Sequence, residues 1–163
     1  MEGLIIPLVV VILIIAGVIA LTGFVIISER QVGIIVKRFS SKPLPPDRLI
    51  ALNGEAGYQA DTLAPGFHFG YFPWMYSIRK VNVTVVPSGE IALVVAADGD
   101  SIPAERILAK YVDCDDYQDA RKFLTNGGEK GRQLGILTAG AYRINTALFT
   151  VINRQNANQH DME

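Results

Sequence analysis

Apolar residues fall along this chain in two regimes. Over residues 4–27 they are continuous (LIIPLVVVILIIAGVIALTGFVII), without a charge, and 17 of the 24 are Leu, Ile or Val. From Ser28 onward they come in short runs, many alternating with polar residues. As a helix the first stretch would measure about 36 Å at about 1.5 Å per residue, against a hydrocarbon core of about 30 Å. Its aliphatic residues would gain at most about 5–10 kcal/mol on insertion. The pattern therefore predicts a transmembrane helix over residues 4–27. A cleaved leader is the rival. It calls for a basic start, a shorter apolar run and a small-residue cleavage site, whereas only Glu2 precedes this run and no A-x-A-like triplet follows it. Pro7 falls in the first turn, where a missing N–H costs little. Ala16 and Ala20 are spaced for close helix approach but are also ordinary in such a helix.

The second regime predicts strands at 31–38, 59–63, 67–69, 74–86, 90–97, 132–138, 142–144 and 148–152, with a short strand or helical turn at 47–52. Turns are signalled at Asn53-Gly54, Pro65-Gly66, 87–89, Asp98-Gly99 and Ala139-Gly140. One helix is predicted, over about 116–125, with Asp115 or Asp116 as N-cap, Tyr117, Ala120 and Leu124 on its apolar face and 126–128 (NGG) as its stop. The polar end, 153–163, is expected to fray.

The chain also resembles itself. Residues 54–78 align with 128–152 at a constant offset of 74: Gly54, Glu55, Gly57, Gln59, Leu63, Gly66 and Ile78 recur as Gly128, Glu129, Gly131, Gln133, Leu137, Gly140 and Ile152. Upstream, 44–51 (LPPDRLIA) matches 102–109 (IPAERILA), and the strand after Ser28 matches the one after Ser88. These matches predict two related β-rich units, about 28–78 and 88–152, the second carrying an insertion at about 110–125 that holds the helix.

Charge orients this picture. All 15 Lys and Arg follow the apolar stretch, with Arg30, Lys37, Arg38, Lys42 and Arg48 soon after it. Basic flanks stay on the cytoplasmic side, so the expectation is a single-pass membrane protein with residues 28–163 in the cytoplasm. The near-neutral balance after the helix argues against nucleic acid. A single cysteine, Cys114, precludes an internal disulfide and suits a reducing compartment.

The order of these features resembles the stomatin–prohibitin–flotillin (band-7, SPFH) superfamily, and within it bacterial flotillin-like inner-membrane proteins. The resemblance rests on the apolar start, then SERQVGIIVKRF, LAPGFHFGYFPW and SGEIALVVAADG, and on DCDDYQDARKFLTNGGEKGRQLGILTAGAYRINTALFTVI in the second half. Members usually continue into a long coiled coil, and no sustained heptads occur here. The resemblance implies an α+β domain, assembly into large oligomers, membrane lipids and membrane proteins as partners, and no enzymatic activity.

Candidate chemistry is sparse. The run 67–76 (FHFGYFPWMY) holds six aromatics against two at 141–150 of the second unit, so the same unit folds without them. Core packing is one reading. The other is that Phe67, Tyr71, Phe72 and Trp74 meet the membrane–water interface. The acids around Cys114 lack the glycine of a calcium loop, since Gln118 stands at the sixth position from Asp113, and helix capping accounts for them. Those acids also disfavour a Cys114 thiolate. His68 aligns with Tyr142, which suits a structural role, and His160 lies in the polar end. The stretch 127–132 (GGEKGR) lacks P-loop spacing. No nucleophile–base constellation emerges.

The sequence reading is thus an α+β protein in three parts: a transmembrane anchor (1–28), a membrane-proximal SPFH-like domain of two units (29–152) and a polar tail (153–163). No cofactor, metal or catalytic residue is expected. The expected function is a flotillin-like scaffold organising membrane microdomains or membrane-protein assemblies. The alternative is a regulatory accessory subunit of a membrane enzyme such as a protease, and a membrane-anchored hydrolase is a third.

Overall fold

The computed structural model describes residues 2–154; His160 and the rest of the polar tail from 155 on lie outside them. Helix α1 (Glu2–Thr22) is followed by strands β1 (Val25–Ile27), β2 (Gln31–Lys37), β3 (Ile50–Ala51), β4 (Gly57–Leu63), β5 (Gly66–His68) and β6 (Tyr76–Asn82). Then come β7 (Thr84–Val86), β8 (Ala92–Ala96), α2 (Ala120–Thr125), β9 (Gly131–Leu137), β10 (Gly140–Tyr142) and β11 (Phe149–Ile152). The described chain is thus mostly β, which corrects the α+β expectation: α2 is a single short helix set among strands.

The anchor is corrected too. Among the described residues no helix is long and apolar enough to cross a membrane. The apolar stretch is divided between two structures. Gly23 adopts φ +60°, which favours glycine, and its carbonyl accepts the Tyr71 N–H at 3.0 Å. The chain then leaves the helix and pairs as β1 with β5, Ile26 opposite Phe67, and Ile27 is buried beneath the first sheet. The expected single-pass, inner-membrane placement with a cytoplasmic C-terminal domain falls with the anchor.

Two units of the same topology follow α1. In the first, β3-β4-β2-β6 form one sheet, β3 parallel to β4 and the rest antiparallel, with β1–β5 as a separate pair. In the second, β9-β8-β11 form the sheet and β7–β10 the pair. Ala109 makes a parallel bridge to Gln133 where Ala51 pairs with Gln59, and Ala92 faces Leu137 where Gly33 faces Leu63. The recurring G-E-x-G-x-Q has a shared purpose. Gln59 donates to the carbonyls of Glu55 and Gly57, both at 2.9 Å, and Gln133 donates to those of Glu129 and Gly131, at 2.7 and 2.9 Å.

The units depart from a gapless alignment at one point. The carbonyl of Phe72 accepts from Met75 and Tyr76, as that of Asn145 accepts from Leu148 and Phe149. Phe72 is therefore the counterpart of Asn145, and the second unit is one residue shorter in the loop before this turn. Trp74 corresponds to Ala147, and Tyr76 to Phe149.

The main core lies in the second unit and beneath the first sheet. Phe123, Tyr117 and Phe149 pack mutually at centroid distances of 5.0–6.3 Å. Ile50 and Ala60 of the first unit join the same cluster. A smaller core of Ile27, Ile35 and Leu63 lies on the other face of the first sheet. The helix begins later than expected: Asp119, not Asp115 or Asp116, caps α2, accepting the Lys122 N–H at 2.8 Å. Asp115, Asp116 and Tyr117 take φ of 55°, 49° and 64°, a left-handed turn that cannot open a right-handed helix.

Candidate functional site

Two exposed rings, Phe67 and Phe69, lie on and just after β5 of the β1–β5 pair. Strand alternation places Phe67 on one face and His68 on the other. The His68 imidazole meets the Ala64 carbonyl at 2.8 Å, the bond that the Tyr142 hydroxyl makes to Thr138 at 2.9 Å in the second unit. Phe24 lies 5.8 Å from Phe67, nearly parallel, and 5.1 Å from Phe69. Phe67 and Phe69 are 70% and 66% exposed, and Ile26 continues the patch as the cross-strand partner of Phe67. Full desolvation of one such ring would contribute about 1.5–3 kcal/mol, so the patch is a strong unfilled contact surface.

The four residues singled out from the sequence divide three ways. Phe67 sits in this patch. Tyr71 turns inward, packs against the smaller core and meets Tyr76 edge-on at 5.5 Å; burial pushes its phenol above the ordinary range. Phe72 and Trp74 stack at 5.0 Å on the turn before β6, with Trp74 exposed. Phe24, Ile26 and Phe69 are the members that sequence reasoning missed. Phe69 was legible, because it is two residues from Phe67 and shares its face; Phe24 and Ile26 were hidden inside the presumed anchor.

Beside the patch runs an open groove of about 510 Å³ that Phe24, Ile26, Tyr71 and Tyr76 share with Arg38 and Lys80. No carboxylate lines it, and among the described residues neither cation is in a salt bridge. A surface of exposed rings bordered by free cations can hold an apolar layer with anionic head groups.

Of the acids around Cys114, Asp113 and Asp119 are engaged structurally. Asp113 pairs with Lys122 at 3.0 Å, and that hydrogen bond holds its carboxyl below the ordinary range. Cys114 is buried, and burial pushes its thiol up to about 11, away from nucleophilic use. No family model, curated protein or solved structure matches the chain.

Proposed function

We propose that this chain is a non-enzymatic scaffold of the stomatin–prohibitin–flotillin kind, which gathers lipids and membrane proteins by surface contact rather than by chemistry. The observation that carries the reading is the cluster of exposed Phe67 and Phe69 against half-buried Phe24, beside the free cations Arg38 and Lys80. Rings favour the lipid–water boundary, and the cations suit anionic head groups. At the matching strand pair of the second unit, Ala141 stands in place of Phe67, so the patch is not a requirement of the fold.

The test places a reporter in the patch. In a Trp74→Phe background, Phe67→Trp gives a chain whose one tryptophan sits at position 67. With vesicles containing a quarter phosphatidylserine, its emission should shift to the blue and be quenched by lipids brominated near the head of the acyl chain. Arg38→Ala with Lys80→Ala should weaken the effect most at low salt. A chain that sediments with the vesicles while the indole at position 67 remains unquenched would refute the assignment of this patch.

A further inference from the structure

The first sheet, β3-β4-β2-β6, has two edges of different kinds. β3 closes one side with two residues, whereas β6 closes the other with seven, in unbroken register with β2 and without a bulge or a proline. The two ends of that ladder fix which backbone groups face outward. The Arg38 N–H donates to the Met75 carbonyl at 2.8 Å, and the Val83 N–H donates to the Arg30 carbonyl at 3.0 Å. Antiparallel strands alternate, so Ser77, Arg79 and Val81 bond to β2, while Ile78, Lys80 and Asn82 turn their N–H and C=O groups away from it. Among the described residues nothing meets these outward groups. A long edge of this kind is ordinarily shortened, bulged or covered, because it is a template for another strand.

The groove beside the aromatic patch runs along this edge. β6 lines it with Tyr76, Ile78 and Lys80, which share one face of the strand, and β1 lines it with Val25 and Ile26. Arg38 lies at the Tyr76 end, next to the close of the ladder, and Lys80 stands about 13 Å further along β6. Neither cation is a requirement of the fold, since the second unit has Ala97 and Asn153 at the matching positions.

We propose that the outer edge of β6 takes up an extended acidic segment of a partner protein as an added strand. The segment that fits is E-x-Φ-x-E, with Φ aliphatic. Side chains two apart share a face, so Φ beside Ile78 sets one carboxylate by Lys80 and the other toward Arg38. The pattern reads the same in both directions and suits either strand polarity. Outward N–H and C=O groups give the added strand its bonds, and the groove chooses its side chains. A second copy of β6 is disfavoured at this edge, because Arg79 and Lys80 would meet like charges across the strands. The inference rests on the scaffold reading and gives the chemistry of the protein it gathers, and it requires nothing of the lipid patch.

Peptide binding tests it, with the full-length chain in mild detergent and no vesicles. The probe is the fluorescein-labelled peptide GSETITESG, followed by fluorescence anisotropy. It should bind saturably. Its glutamine version, GSQTITQSG, and the Arg38→Ala, Lys80→Ala variant of the chain should each weaken binding at least tenfold at low salt. Charge alone would do as much, so the backbone is tested separately by methylating one peptide nitrogen at a time across ETITE. An added strand predicts a loss of at least tenfold at alternate positions and little loss between them. Lys80→Pro should bind more weakly than Lys80→Ala while keeping its circular dichroism melt, because the N–H it removes is turned away from β2. No saturable binding, or a loss that is the same at every methylated position, would overturn the proposal. Absent peptide binding with quenching at position 67 intact would strike this inference alone, and the reverse result would strike the lipid patch alone.

Discussion

Asn145 ties the two units together, and replacing it tests the account of their interface. The side chain is fully buried. Its amide nitrogen donates to the carbonyls of Gln59 and Ala60, both at 3.0 Å, and its oxygen accepts the Ala147 N–H at 3.1 Å. Asn145→Ala removes all three bonds. At about 0.5–1.5 kcal/mol net for each, the loss is roughly 1.5–4.5 kcal/mol, and two buried carbonyls deprived of a donor push it toward the upper half. A loss of about 3 kcal/mol lowers Tm by roughly 6–12 °C in a chain of this size. Asn145→Asp keeps the shape but turns a carboxylate toward two carbonyl oxygens, so it should be less stable than the alanine variant. The assay is thermal and urea unfolding followed by far-ultraviolet circular dichroism, in mild detergent to cover the exposed side chains of α1. Ile50 and Ala60 share a core with Leu148 and Phe149, so one transition with an unchanged urea slope is expected. An alanine variant within about 0.5 kcal/mol of the parent, or an aspartate variant as stable as alanine, would refute the reasoning.

Two further predictions concern the second unit. A Cβ at Gly128 would meet the Phe123 ring at 2.5–2.6 Å, and that ring is wholly buried between Tyr117 and Phe149. Gly128→Ala should therefore cost about 1–3 kcal/mol, and chemical denaturation of the Gly128→Ala, Phe123→Leu double variant should recover part of it, giving a non-additive cycle. The Glu129 carboxyl is held below the ordinary range, first by the Arg106 guanidinium at 2.6 and 3.0 Å and then by the Lys110 N–H. A depressed folded pKa contributes stability that is fully present above the unfolded value, about 4.3, and is lost as pH falls through the folded one. The Tm gap between the parent and Glu129→Gln should thus be widest near neutral pH and close as pH falls below about 4.

The repeat was legible because its residues make backbone-directed bonds that any copy of the unit must make. Gln59 and Gln133 each close the same turn, so glutamine recurs with the glycines around it. The boundary of the apolar stretch was not legible. Val25, Ile26 and Ile27 suit a strand as well as a helix, and only the pairing of Ile26 with Phe67, distant in sequence, decides between them. The lost residue before Asn145 was hidden because the flanking matches, Gly140 and Ile152, tolerate a shift within an apolar strand. Site residues followed the same division. Phe67 could be found from local enrichment. Enrichment cannot say which rings turn inward, as Tyr71 does beside the smaller core, next to its backbone bond to Gly23. Nor could patterning tell a closed sheet face from an open one, since Val32, 1% exposed, and Ile91, 56% exposed, are both β-branched residues at matching positions of the two units.

Arginine placement shows how one unit came to cover the other. Arg48 and Arg106 occupy matching turns, each donating its N–H to a proline carbonyl three residues back. In the second unit Arg106 stays within its own unit, on Glu129. In the first, Glu55 accepts the Asn53 N–H instead, and Arg48 reaches across to Asp100 at 3.1 Å, with Asp98 at 3.7 Å. The same side chain is internal in one unit and joins units in the other, and the acids it reaches decide which.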